Sequence, residues 1–167
     1  MGWLTFSVER DAGFSEVESR LAEIRGKMGD VSDLLKQIAA IYKDSTIKRF
    51  SSHTDPKGRA WKRLQKRTVL VKTKGWGKRG PSVAPPSHQL IWTGKLRGAI
   101  KVRFQKREKL IQIGVSLGEV PYARLHQFGS GNTDTNNVPA RPWLGTTKLA
   151  NRQALAAMTA FFELSKK

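Results

Sequence analysis

The chain has 167 residues, enough for one domain with a modest core, and no cysteine, which excludes disulfides, thiolate catalysis and thiolate metal sites. Its formal net charge is +18, and no apolar run approaches the length that spans a bilayer. The opening "MGWLTFSVERDAG" lacks a basic stretch followed by an apolar one, so a soluble protein without a secretion signal is expected. The charge is unevenly spread. Up to Leu35 there are four basic and seven acidic residues, whereas Pro56 to Arg107 holds sixteen Lys and Arg and no Asp or Glu. Such density must face water, salt or a polyanion. A solvated face and a surface near nucleic acid both fit, and a charge run alone does not choose between them.

In chain order, "LTFSVE" alternates Leu4, Phe6 and Val8 with polar residues, the period of a half-buried strand. Val17, Leu21, Ile24 and Met28 then recur at helical spacing, up to the interruption at "GKMGD". A second helix follows, capped by Asp30 or Ser32, with an apolar stripe of Leu35, Ile38, Tyr42 and Phe50. "HTDPKGRAW" breaks it with an Asp-Pro-x-Gly turn, and Trp61 is spaced to anchor that turn on a core. Residues 72–88, rich in glycine, proline and bases, read as one long exposed loop. "LIWTGKLRGAI" turns at Gly94 into a brief helical or extended piece. Next, Ile100, Val102 and Phe104 alternate with Lys101, Arg103 and Gln105. Ile111, Ile113 and Val115 alternate likewise, so the two runs predict an antiparallel hairpin with a basic outer face. "YARLHQFG" is one or two helical turns closed by Gly129, and "SGNTDTNN" is a polar loop. The end of the chain is a helix with Ala150, Ala154, Met158 and Phe161 on one side. The class is α+β in a single domain, 1–167: an N-terminal strand and long helical region, an antiparallel hairpin sheet, a C-terminal helix and one long basic loop.

The residues offer little chemistry. His53, His88 and His126 each stand alone in the sequence, without the spacing that puts two metal ligands on one face. After Leu35 the acids are Asp44, Asp55, Glu108, Glu119, Asp134 and Glu163, too scattered for paired-carboxylate or two-metal catalysis. "GWGKRG" lacks the GxxxxGK[ST] spacing of a phosphate loop. No catalytic residue, metal or cofactor is expected. Trp76 lies among bases and fits stacking on exposed nucleic-acid bases; Trp61 is the poorer candidate. The candidate contacts with DNA or with an acidic partner are Lys72, Lys74, Trp76, Lys78 and Arg79 in the loop, with Lys101 and Arg103 on the hairpin. Without a base-reading motif, any DNA contact would be with phosphates and blind to sequence.

Four blocks stand in a telling order: "IKRFSSHTDPKGRAWKRLQKRT", "LIWTGKLRGAI", "YARLHQFG" and "VPARPWLG", followed by the closing helix. Through Phe50, Pro56, Gly58 and Trp61, then Thr93, Gly94 and Leu96, then Tyr122, His126, Gln127, Phe128 and Gly129, then Pro139, Arg141 and Pro142, the chain resembles the tail-associated phage virion morphogenesis (tail completion) family. Trp143 stands where a smaller aromatic is commoner, and the basic loop around Trp76 lies outside the pattern. The resemblance implies a structural virion protein of the tail and neck, not an enzyme, made in the host cytoplasm. It acts in tail completion and head–tail joining beside tail-terminator, head-completion or connector proteins. It also implies a homo-oligomeric ring, of six copies by analogy with tail symmetry. On this view the matching residues are scaffold or subunit contacts; Arg141, fixed between prolines, belongs with the scaffold and could still pair with a carboxylate across a subunit boundary. The basic residues would line a DNA channel without reading it, or meet acidic surfaces of neighbouring proteins. A non-specific nucleic-acid-binding module is the alternative.

Overall fold

The computed structural model describes residues 3–6, 31–105, 110–131 and 138–164. Val8, the stretch from Val17 to Met28, Asp30, and most of the "KREK" and "SGNTDTNN" turns lie outside these residues. In chain order the elements are β1 (Trp3–Phe6), α1 (Ser32–Ser52), α2 (Lys66–Lys74), α3 (Lys95–Gly98), β2 (Lys101–Gln105), β3 (Leu110–Ser116), α4 (Ala123–Phe128) and α5 (Lys148–Leu164).

The expected hairpin forms, with Val102 opposite Ile113 and Phe104 opposite Ile111. It gains a third strand, because β1 pairs antiparallel with β3 and sets Leu4 opposite Val115. The sheet order is therefore β1-β3-β2, with the most apolar strand at its centre. Ile100 and Ile113 are buried, while Phe104, expected inward, is half exposed near the end of its strand.

Helix α1 lies along the sheet and against α5. Leu34 and Ile38 interlock with Ala154 and Met158, and the small alanines of α5 let the two helices approach closely. The buried stripe of α1 runs through Leu34 rather than the expected Leu35, which is only partly covered. Val31 occupies the N-cap position without a side-chain cap bond, so Ser32 is the first helical residue and not the cap. Thr147, whose hydroxyl accepts the Ala150 N–H at 3.1 Å, caps α5.

The main core joins one face of β3, through Ile113 and Val115, to the helices and loops. Phe50 sits edge-on to Trp61 with ring centres 5.9 Å apart, and Trp143 is tilted 6.1 Å from Phe50 on the other side. Leu96, Ile100, Val115, Val120 and Leu144 close around these rings. Burying so many large apolar side chains, at roughly 1.5–3 kcal/mol each, is what holds the loop-rich half of the chain in place.

Candidate functional site

Residues 138–147 run into the core as irregular chain that belongs to no helix or strand and bends at residues 144 and 145. Buried backbone N–H and C=O groups in such a segment need partners from elsewhere. Arg49 of α1 supplies two: Nη1 donates to the Trp143 carbonyl at 2.9 Å and Nη2 to the Gly145 carbonyl at 2.6 Å. Gln127 of α4 accepts the N–H groups of Trp143 and Leu144, both at 3.0 Å, and donates to the Leu144 carbonyl at 3.0 Å. Trp61 Nε1 donates to the Pro142 carbonyl at 2.9 Å. Three separate parts of the chain thus staple one segment.

Arg141 lies at 5% exposure and does not reach outward. Its Nε donates to the Lys62 carbonyl at 3.0 Å, with a longer bond from Nη2 to Arg63, while its own N–H donates to the His126 carbonyl. Among the described residues no carboxylate pairs with it. The prolines on either side fix a guanidinium that clamps the entry to α2, within one chain.

The other matching residues fall into the same frame. The Asp-Pro-x-Gly turn closes with the Gly58 N–H on the Asp55 carbonyl at 2.9 Å, and the Asp55 carboxylate accepts from Lys57 and Arg59 N–H. Pro56 presses on Gly145, where an added Cβ would come within 2.7 Å of the proline ring; Gly145 must be glycine. Gly129 meets the backbone of Val138 and Ala140 equally closely, which leaves Pro139 beside the end of α4. Gly94 starts α3 in the left-handed region, with the Thr93 hydroxyl accepting from the Lys95 N–H and Leu96 buried beneath. Phe128 is the exception: it is 64% exposed, and Leu125 and the N-cap residue Tyr122 of the same helix are each more than a third exposed.

The basic residues divide. Lys74, Lys78, Arg79, Lys101 and Arg103 are exposed. Lys72 is not: it lies within α2 at 4% exposure, and its Nζ donates to the His88 carbonyl. The exposed loop therefore starts after Lys74, and Lys72 is withdrawn as a surface contact. Trp76, 70% exposed, and Arg79 exchange backbone hydrogen bonds of 2.7 and 3.0 Å across a tight turn carrying Gly77 and Lys78. The Arg79 guanidinium stacks 5.4 Å from the centre of Trp92. So the fold gathers Trp76, Lys78 and Arg79 with Trp92, whereas Lys101 and Arg103 lie on the edge strand β2, where Lys101 pairs with Glu119 at 2.9 Å.

The histidines also change standing. His53 ends α1 in the left-handed region, and its ring meets that of His88 edge-on at 4.4 Å, although they are far apart in sequence. Burial, then the nearby His88 and Lys72 charges, pull His53 below the usual histidine value. His126 is held down to about 4 by burial and then by Arg141, so it is neutral near pH 7. Among the described residues there is no group of three or more His, Asp or Glu able to hold a metal.

Arg49 carries as many of these contacts as any motif residue, and the sequence blocks gave it no role. A signal existed: continuing the stripe Ile38–Tyr42 in steps of four and three reaches Thr46 and then Arg49, two polar residues on a buried face.

Among the described residues no helix is long and apolar enough to cross a membrane. Comparison with curated proteins returned no match, and neither did comparison with solved structures. The model of the phage virion morphogenesis family matches residues 12–162 and takes in all four motif blocks. The chain therefore belongs to the phage virion morphogenesis family and takes part, beside other virion proteins, in building the phage virion.

Proposed function

We propose that the chain is a non-enzymatic structural subunit of the tail and neck, acting in tail completion and head–tail joining as a member of a homo-oligomeric ring. The observation that carries the reading is how the polar motif residues are used. Arg49, Gln127, Arg141 and the Trp61 indole all donate hydrogen bonds to backbone carbonyls of the same chain, and Arg49 also reaches the Thr46 and Ser45 hydroxyls of its own helix. Side chains committed in this way hold a shape; they are not poised for proton transfer or nucleophilic attack. Tyr122, Leu125 and Phe128 supply apolar surface for a neighbouring subunit, and exposed apolar surface of this kind marks contact sites. The neighbours would be tail-terminator, head-completion or connector proteins, met in the host cytoplasm during assembly and retained in the virion.

A second reading, a non-specific nucleic-acid-binding module, is favoured by one feature: the exposed Trp76 beside Lys78, Arg79 and Trp92 offers rings for stacking and cations for phosphates. The mass of the full chain in solution, at low and high salt and freed of nucleic acid, separates the two. A discrete oligomer, six copies or a multiple, is expected of the ring subunit. A monomer whose DNA affinity falls steeply with salt would favour the module instead.

A further inference from the structure

Between α2, α3 and α4 lies a recess of about 540 Å³, within the size range of pockets that hold ligands. Lys72, Arg79, Lys95 and Arg141 reach its wall, together with the neutral His126, and no Asp or Glu is among its described lining residues. The rest of the wall is largely apolar, and Leu90 and Trp92 are its partly exposed large side chains. Two of the four cations are buried, and each is bonded only to backbone carbonyls. A buried cation without a counter-charge is costly, and a backbone carbonyl compensates it only in part. The His126 Nδ1 atom is buried there too, without a hydrogen-bond partner.

These walls ask for two things at once, negative charge and apolar surface. A DNA duplex presents hydrated phosphates on a convex surface and has nothing to place against Leu90 and Trp92 at the bottom of a recess. A peptide with an apolar side chain between carboxylates satisfies both demands. We propose that this recess docks an acidic segment of a partner virion protein: an apolar side chain enters beside Leu90 and Trp92, and the flanking carboxylates meet Arg79 and Lys95 at the rim. Burial already pulls Lys72 and Arg141 below their ordinary values, a penalty that an arriving carboxylate offsets. The proposal rests on the reading of the chain as a virion subunit with protein neighbours. It fails separately from the ring, because the mass measurement does not depend on the recess.

The test is fluorescence anisotropy of the full chain with a labelled peptide, Glu-Asp-Leu-Glu-Asp, at moderate salt. The amide counterpart Gln-Asn-Leu-Gln-Asn should bind about tenfold or more weakly. The double variant Arg79→Glu, Lys95→Glu should weaken the acidic peptide by about tenfold or more. The charge-matched variant Lys148→Glu, Arg152→Glu, on exposed positions of α5 outside the recess, should change it less than about threefold. In the unaltered chain the peptide should shift the Trp92 indole N–H resonance and leave that of the buried Trp61. Equal losses in both double variants, an unmoved Trp92 signal, or a labelled DNA duplex that depends on Arg79 and Lys95 where the peptide does not bind would each overturn the proposal.

Discussion

At Arg49 a guanidinium is held at 3% exposure, in the middle of the fold, by four oxygen partners on other residues. Burial lowers its value to about 10, against the attraction of Asp55, so the charge persists at neutral pH. What it stabilises is the path of residues 143–145, whose carbonyls would otherwise be buried without donors. Arg49→Met keeps much of the volume and removes the donors. Each orphaned buried carbonyl costs about 1–3 kcal/mol, so urea unfolding should show a loss of roughly 2–5 kcal/mol with an unchanged slope. His126 gives a pH signature. Its folded value of about 4 lies below the ordinary 6.5, so between these values the unfolded chain binds more protons. The stability it permits is complete above about pH 6.5 and is lost as pH falls through about 4, by at most about 3 kcal/mol. His53 is depressed as well and acts in the same sense. Melting temperatures from pH 7 to 4 should therefore fall steeply for the native chain and less steeply for His126→Gln; parallel curves would mean that His126 is not the residue responsible.

Among elements, those with a clean period were legible and those held by long-range bonds were not. The hairpin follows from the alternation of Ile100–Val102 with Lys101–Arg103, and the stripe Ala150, Ala154, Met158 marked α5 correctly. Helix α2 escaped notice for physical reasons. Its "KRTVLVKTK" has two β-branched valines and two threonines, and Lys66 and Arg67 oppose the helix dipole at its start. It forms because the fold buries Lys72 and anchors its entry through Arg141, neither of which local sequence encodes. The one-residue offset of the α1 stripe has a similar origin, since either leucine suits the period and the facing α5 selects Leu34. The turn Trp76–Arg79 is different. Its tryptophan is mostly exposed and packs on no core cluster, so Trp76→Ala should shift the unfolding free energy by no more than about 0.5 kcal/mol. Differential scanning calorimetry checks this; a larger loss would show that the ring supports the fold and is not kept for contact.

For the molecule as a whole, the four blocks identified the family, yet not how they meet. The recess draws on Leu64, Lys72, Leu96, His126 and Arg141, positions that become neighbours only when the chain is closed. Charge was legible in amount and misleading in place, because Lys72, counted as outward in the sequence, is inside, as is Arg141. The remaining bases on the surface make assembly sensitive to ionic strength, which is why the solution mass must be compared at two salt concentrations. The way the two ends of the chain are used has a consequence for its synthesis. Trp3 to Phe6 find their partners at Ile113 to Ser116, and Leu34 and Ile38 find theirs at Ala154 and Met158. Trp3 to Phe6 must wait for over a hundred more residues before the sheet can close, and α1 waits for α5. Contacts so distant in sequence slow folding and leave little to form early. A truncated chain that lacks α5 would expose Leu34 and Ile38, so the subunit's resistance to proteolysis is expected to arrive only with its closing helix.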